Sequence, residues 1–304
     1  MEKTCFIIVG PTAVGKTAAA ITIAEQLQTE IISADSRQCY RELNIGVARP
    51  STDELAAVPH HFIASHSVTQ LLTAADFETY ALQQATQIFQ YHESVVMVGG
   101  TGLYIKAFAE GLDPIPAVAD ELRNQIREQY AKNGMPWLQA EIREKDPLFF
   151  KEGEMQNPQR MMRALEVIQT TGESILALQS GSKQERNFRI VKLGLELPRE
   201  LLYQRINQRV DQMMDAGLLE EARALIPQQQ LNALQTVGYR ELFAHFNGEI
   251  SLARAIELIK QNSRHYAKRQ LTWFKKDSEI SWLDARDEAG LTDWVSRTMS
   301  RNTD

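Results

Sequence analysis

The chain has 304 residues, 33 Lys and Arg against 39 Asp and Glu for a formal net charge of -6, and 43% hydrophobic residues. That size and apolar share suit one large domain or a core domain with an insertion and exclude a disordered chain, while the acidic balance argues against a surface coated in nucleic acid, because non-specific binding rests on neutralised phosphates. Cys5 and Cys39 have no metal-ligand spacing and imply a reducing compartment, no apolar run approaches the roughly 20 residues that span a bilayer, and the first strand leaves no room ahead of it for a signal peptide, so a cytoplasmic protein without a membrane segment is expected.

The apolar run Phe6-Ile7-Ile8-Val9 leads into Gly10-Pro11-Thr12-Ala13-Val14-Gly15-Lys16-Thr17 and then into a helix-compatible stretch over 18–27. Both spacing and flanks fit the strand–GxxxxGK[ST]–helix pattern of a P-loop, whose backbone N–H groups and helix N-terminus cradle a phosphate. The motif attracts a nucleoside triphosphate by habit, but kinases, ATPases, GTPases and diphosphate-handling transferases all use it. Residues 30–34 read as a second strand that ends in Asp35-Ser36-Arg37-Gln38, and a strand C-terminus in a parallel sheet faces the ligand crevice, which makes Asp35 a site candidate. His60 and His61 lack a third ligand and are read as structural. Thr73 to Asp76 has the form of a capping box opening an amphipathic helix.

Val95-Val96-Met97-Val98 is a buried-strand run where the acid of a Walker B motif belongs, yet Gly99-Gly100-Thr101-Gly102 follows. The missing acid counts against an ordinary ATPase or GTPase. The glycines are expected to let a ligand approach the backbone, with the Thr101 hydroxyl at the mouth. Asp113-Pro114-Ile115-Pro116 looks like a boundary. Beyond it come helices over 121–132, 137–145 and 158–171, with Arg160 and Arg163 on one face of the last and Met161, Leu165 and Ile168 on the other. A strand over 189–197, helices over 199–217 and 218–226, a further strand over 279–283 and a closing helix over 291–300 complete the chain. Residues 254–276 hold seven Lys and Arg against one acid, Glu257, a local net of +6 on an acidic protein.

The order of elements predicts an α/β fold: a P-loop NTPase-like parallel sheet flanked by helices, with an inserted all-helical subdomain. The expected division is 1–116 for the first part of the core, 117–188 for the insertion and 189–304 for the second part with its basic C-terminal helix.

The P-loop, Asp35-Ser36-Arg37-Gln38, Gly99-Gly100-Thr101-Gly102-Leu103-Tyr104 and Lys268-Arg269-Gln270-Leu271-Thr272-Trp273-Phe274-Lys275 together resemble the bacterial tRNA dimethylallyltransferases, also called tRNA isopentenyltransferases. The resemblance covers essentially the whole chain and includes residues 158–166, 205–213 and 237–240. It implies transfer of a dimethylallyl group from its diphosphate to N6 of the adenine 3′ of the anticodon, with Mg2+, release of pyrophosphate and monomeric action. On this resemblance Asp35, Lys16 and Thr101 are catalytic. Gly10, Pro11, Thr12, Ala13, Val14, Gly15, Lys16, Thr17 and Arg209 hold the diphosphate or a nucleotide, and Thr17 holds the metal. The tRNA anticodon stem-loop meets Asp35, Ser36, Arg37, Gln38, Thr101, Arg123, Gln159, Arg160, Met161, Met162, Arg163, Val237, Gly238, Tyr239, Arg240, Lys268, Arg269, Gln270, Trp273 and Lys275. The chain departs from many members in having Gln235 where they carry arginine. An isopentenyltransferase acting on AMP or ADP, a small-molecule kinase and a non-catalytic P-loop RNA-binding module remain the alternatives at this stage.

Overall fold

In a computed structural model describing residues 2–179 and 181–300, the chain divides into two units, one made of residues up to Ala109 and from Glu185 onward, the other of Glu110–Gln184. The larger unit begins with β1 (Thr4–Val9), α1 (Lys16–Gln26), β2 (Ile31–Ser33), a short α2 (Thr52–Ala57), β3 (His60–His61), α3 (Ala74–Ile88), β4 (Ser94–Val98) and α4 (Gly102–Glu110). Among the described residues the regular elements wholly within the smaller unit are all helices: α5 (Asp120–Lys145), α6 (Pro147–Glu152), α7 (Pro158–Thr171) and α8 (Ile175–Leu178). The larger unit resumes with β5 (Arg189–Glu196), α9 (Arg199–Asp215), α10 (Leu218–Ala224), α11 (Tyr239–Phe246), α12 (Leu252–Phe274), β6 (Ile280–Asp284) and α13 (Glu288–Ser300).

All pairings in the six-stranded sheet are parallel, in the order β3-β2-β4-β1-β5-β6. Such sheets are covered on both faces and read as unbroken apolar runs, and every residue of β1 is buried. Alternation sends Phe6 and Ile8 to one core, with Ala20, Ile23 and Ala24 of α1, while Cys5, Ile7 and Val9 enter the other with Phe77 and Ala81 of α3. Cys5 and Cys39 are both free and buried. The His60–His61 strand sits beside β2, where His61 Nε2 pairs with Glu30 at 2.5 Å. Among the described residues no helix is long and apolar enough to cross a membrane.

The helical unit starts at Glu110 and ends at Gln184, where 117 and 188 were expected. The reason is pairing: Gln184 N–H donates to the Glu110 carbonyl at 2.8 Å and Gly181 N–H to Asp113 Oδ1 at 3.1 Å. The Asp113–Pro116 segment thus belongs to the helical unit, whereas Phe188 packs against Phe89 and Phe108 in the larger one. The two helices expected over 121–132 and 137–145 form one run interrupted at Gly134, whose φ of 68° lies just before Pro136. α7 begins where Asn157 Oδ1 accepts the N–H groups of Gln159 and Arg160, and it stops at Gly172 in the left-handed region.

One face of α7 is core. Met161 is fully buried and Met162 nearly so, packed with Leu138, Ile142 and Leu165. Both methionines, expected at the RNA, have their side chains in this core and not on the surface of the helix. Met161→Ala should destabilise the protein by about 2–5 kcal/mol through the cavity it leaves. The exposed Arg160→Ala should stay within about 0.5 kcal/mol. Denaturant unfolding of the two variants measures both, and equal costs would contradict this division of the helix.

Candidate functional site

β1 delivers the chain into the P-loop at the C-terminal edge of the sheet. Gly15 takes φ 111°, a left-handed conformation that starts α1, and Ala13 also has positive φ at 65°. Lys16 Nζ donates to the Pro11 carbonyl at 2.8 Å, folding back over the loop. Burial lowers its pKa to about 8, with Arg209 pushing the same way and Asp35 opposing. Arg209, projecting from α9, is likewise lowered by desolvation. Arg205, one turn earlier, donates to the Val14 carbonyl at 3.3 Å and so supports the loop from behind.

Two cavities meet here. One, of about 310 Å³, is bounded by Gly15, Lys16, Thr17, Gly99 and Gly100. The other, of about 360 Å³, is bounded by Ser36, Arg37, Val237, Gly238, Arg240 and Arg269. Their common wall comprises Thr12, Ala13, Asp35, Val47, Ala48, Arg209 and Tyr266. Asp35 is held in that wall by a local turn in which its Oδ1 accepts the N–H groups of Arg37 at 2.8 Å and Gln38 at 3.2 Å. Thr101 Oγ1 accepts from Ser36 N–H at 3.1 Å and donates to Ser36 Oγ at 3.3 Å, tying the β4 loop to the β2 loop. Beside it, the Tyr266 ring is 36% exposed, but desolvation at its hydroxyl, next to Thr101, pushes the phenol up to about 12.

The glycines after β4 serve packing within the protein, and Gly99 and Gly100 also border the P-loop cavity. A Cβ on Gly99 would lie 2.2 Å from the Ala34 carbonyl oxygen, one on Gly100 2.1 Å from Gln270 Nε2, and one on Gly102 2.2 Å from Trp273 Nε1. Neighbouring backbone and α12 occupy the space that missing side chains leave.

The basic helix itself is two-faced. Ala255, Ile259, Ala267, Gln270 and Phe274 point inward, whereas Lys268, Arg269, Trp273 and Lys275 are exposed. Part of the positive charge is already spent on carboxylates: Lys260 pairs with Asp211 at 2.5 Å, Arg254 with Glu257 at 3.0 Å and Lys275 with Glu196 at 2.7 Å. Gln270, expected on RNA, is buried.

Tyr239, also expected on RNA, is fully buried; its hydroxyl donates to Glu221 Oε1 at 2.6 Å. The same carboxylate accepts three successive N–H groups, of Asn44 at 3.1 Å, Ile45 at 2.8 Å and Gly46 at 2.9 Å. Glu221 thereby fixes the loop whose Val47 and Ala48 form part of the common wall, with Gln38 Nε2 donating to both of their carbonyls from the other side. Sequence reasoning missed Glu221 and Tyr266. A signal for Tyr266 existed, since it lies one helical turn before Gln270 on α12; nothing local marks Glu221. Gln235 borders the second cavity and donates to the Gln229 carbonyl at 2.6 Å.

Within the helical unit, Arg123 and Arg163 flank the buried Glu166 at 3.8 and 3.3 Å, Arg160 pairs with Glu154, and Gln159 is exposed. Among the described residues no group of three or more His, Cys, Asp or Glu is placed to hold a metal ion.

The geometry has counterparts in known proteins. The family model described as IPP transferase matches residues 38–277. The chain is 49% identical to a tRNA dimethylallyltransferase of Christiangramia forsetii over 91% of its length and 92% of the relative's. It is 44% identical to tRNA dimethylallyltransferase 1 of Bacteroides thetaiotaomicron over 96% and 95% of the two chains. Among solved structures it is similar to the tRNA isopentenylpyrophosphate transferase of Bacillus halodurans, with 33% identity, a TM-score of 0.73 and coverage of 98% and 96%. It is also similar to a eukaryotic dimethylallyltransferase acting on tRNA, with 25% identity, a TM-score of 0.75 and coverage of 99% of this chain and 77% of the other. The parallel P-loop-like sheet, the matched family model and these relatives agree, and the chain belongs to the IPP transferase family.

Proposed function

We propose that the protein transfers a dimethylallyl group from dimethylallyl diphosphate to N6 of the adenine 3′ of the anticodon in tRNA, releasing pyrophosphate. The observation that carries the reading is Asp35, which stands in the wall common to the P-loop cavity and the cavity edged by Arg37, Arg240 and Arg269. Donor on one side and acceptor on the other would meet at that carboxylate.

An adenine amino group is a poor nucleophile because its lone pair is delocalised into the ring. Asp35 accepts its proton as the N–C bond forms, a role typically worth a factor of about 10²–10⁴. On the other side the allylic C–O bond breaks and negative charge grows on the leaving diphosphate. Lys16, Arg209 and the loop N–H groups are the donors aimed there, each of a kind whose loss costs on the order of 3 kcal/mol. An adenine stacked in an anticodon loop must be extruded to reach Asp35, and the exposed Lys268, Arg269 and Trp273 of α12, with Arg37 and Arg240, are suited to the backbone and bases around it. Arg123, Gln159, Arg160 and Arg163 offer further polar contacts on the helical unit. Thr101 holds Ser36 and so keeps the Asp35 loop in place.

Among the described residues no cluster of three or more His, Cys, Asp or Glu forms an all-protein metal cage, but the Thr17 hydroxyl and the Asp35 carboxylate in the P-loop cavity suit magnesium, which usually keeps several waters and binds through substrate phosphates and one or two protein oxygens. Thr17 would hold it, and the ion would neutralise charge on the diphosphate. The absent acid after β4 fits a loop that retains a leaving group and hydrolyses nothing. Action as a monomer in the cytoplasm completes the proposal.

Labelled dimethylallyl diphosphate supplied with magnesium and either tRNA or AMP tests the reading: label is expected in tRNA. Label in AMP alone would select a free-nucleotide enzyme, and label in neither would end the prenyltransfer reading. Asp35→Asn, which retains Oδ1 for the Arg37 and Gln38 N–H groups, should reduce turnover by about 10² or more with tRNA affinity within a few-fold. Near-normal turnover would remove Asp35 as the base.

Lys16 supplies a pH test. Its pKa in the free protein is lowered to about 8, and the diphosphate binds its charged form. Donor kcat/KM should therefore be level well below that value and fall as pH rises through it, approaching tenfold per unit. In Lys16→Arg the guanidinium stays charged and the inflection should vanish. A profile unchanged by that substitution would assign the titration elsewhere.

A further inference from the structure

We infer that Gln270 is a positioning residue for the diphosphate cradle, locking the Thr12 N–H of the P-loop to the Gly100 carbonyl of the neighbouring loop before any donor arrives. The inference rests on the diphosphate reading of the P-loop. Gln270 Oε1 accepts the Thr12 N–H at 2.8 Å, and its Nε2 donates to the Gly100 carbonyl at 2.9 Å. The two contacts are complementary, one to a donor and one to an acceptor, so they define which way the amide points. A carboxylate cannot satisfy both, and an apolar side chain satisfies neither.

The side chain is held in place, at the border of the P-loop cavity. It is 6% exposed, and Ala267 and Phe274, one turn to either side on the inward face of α12, are buried. RNA lying on the outer face of the helix cannot reach it. The site is also reciprocal. Gly100 lacks a Cβ where the Gln270 amide nitrogen stands at 2.1 Å, and once Gln270 is discounted the nearest remaining atom to that Cβ is the Gly10 carbonyl oxygen at 3.8 Å. Gly100 has no positive φ, so within the protein it is Gln270, and not backbone conformation, that accounts for its lack of a side chain.

Removing Gln270 leaves a P-loop N–H and a loop carbonyl without their partner at the edge of the anion site. The loop then has to be ordered by the donor itself, and affinity bears that cost. A purely structural role predicts a loss of stability with donor and tRNA parameters unmoved; a positioning role predicts a selective loss on the donor side.

Titration calorimetry of the full chain with pyrophosphate and magnesium, together with steady-state kinetics, separates the two. Gln270→Ala should weaken pyrophosphate binding about tenfold and raise donor KM by a similar factor, with tRNA KM within about twofold. Gln270→Glu, which keeps an acceptor for Thr12 N–H but sets an oxygen against the Gly100 carbonyl, should move the same way and serves if the alanine variant folds poorly. Gly100→Ala should reproduce the loss, and the double variant Gly100→Ala with Gln270→Ala should be no worse than Gln270→Ala, because the obstructing amide is gone. Pyrophosphate binding within twofold of the unaltered protein in both Gln270 variants, a loss confined to tRNA KM, or multiplicative losses in the double variant would each overturn the inference. Failure of the unaltered protein to bind pyrophosphate would bring down the diphosphate reading, and this inference with it.

Discussion

The parallel pairing of β1 with β4 is the constraint from which the site follows. Ile8 lies opposite Val98, so the two strands release their loops, Gly10 onward and Gly99 onward, side by side at one edge of the sheet. β2 pairs with the other side of β4, Ser33 opposite Val98, and sends Asp35 into the same crevice. Three loops from adjacent strands thus converge without any long-range search for partners, as expected where parallel strands end together. The hydrogen bond from Ser36 N–H to Thr101 and the Gln270 bridge from Thr12 to Gly100 fasten neighbouring pairs of these loops.

Convergence has an electrostatic cost. Lys16 and Arg209 are both desolvated, and burial disfavours the charged form of each. A chain of net charge -6 nevertheless holds two half-buried cations near each other, with Asp35 partly offsetting the cost at Lys16. The diphosphate of the proposed reaction would supply the missing counter-charge. On that proposal the unfavourable state of the free protein would translate into selectivity for a multivalent anion, and the same logic would limit the gain from a neutral ligand of similar size.

Much of this was legible in the sequence. The P-loop, the strand ends and the helices with cap signals are local patterns: Asn157-Pro158 opens α7 and Gly172 ends it where expected, and the strand anticipated over 189–197 is β5 at Arg189–Glu196. Asp35 at the end of β2 was inferred from topology and stands in the cavity wall. What escaped depends on residues far apart in the chain. Gln270 and Thr12 are separated by 258 positions, and Glu221 is about 175 from the loop it holds. The resemblance carries whole motifs over without saying which of their side chains point inward, so Gln270, Tyr239, Met161 and Met162 were grouped with RNA contacts although the fold buries them. The boundary at Glu110 was missed for a related reason, because the pairing with Gln184 that defines it is a tertiary contact.

α12 brings these threads together. An ordinary amphipathic helix buries an apolar stripe and leaves the other face to solvent. Here the buried stripe carries one polar residue among Ala255, Ile259, Ala267 and Phe274, and a buried amide is tolerated only where both of its ends are satisfied. The partners that satisfy Gln270 belong to the phosphate loop and its neighbour, whereas the outward side chains of the same turns include Lys268, Arg269 and Trp273. One helix therefore sets the donor cradle with its inner face and offers cations and an aromatic ring with its outer face. Because Gly100 and Gly102 admit Gln270 and Trp273 to near contact with the β4 loop, the helix cannot shift along its axis without disturbing both sides. The glycine pair after β4 is in this sense the seat of α12, which receives Gln270 at one position and Trp273 at the other.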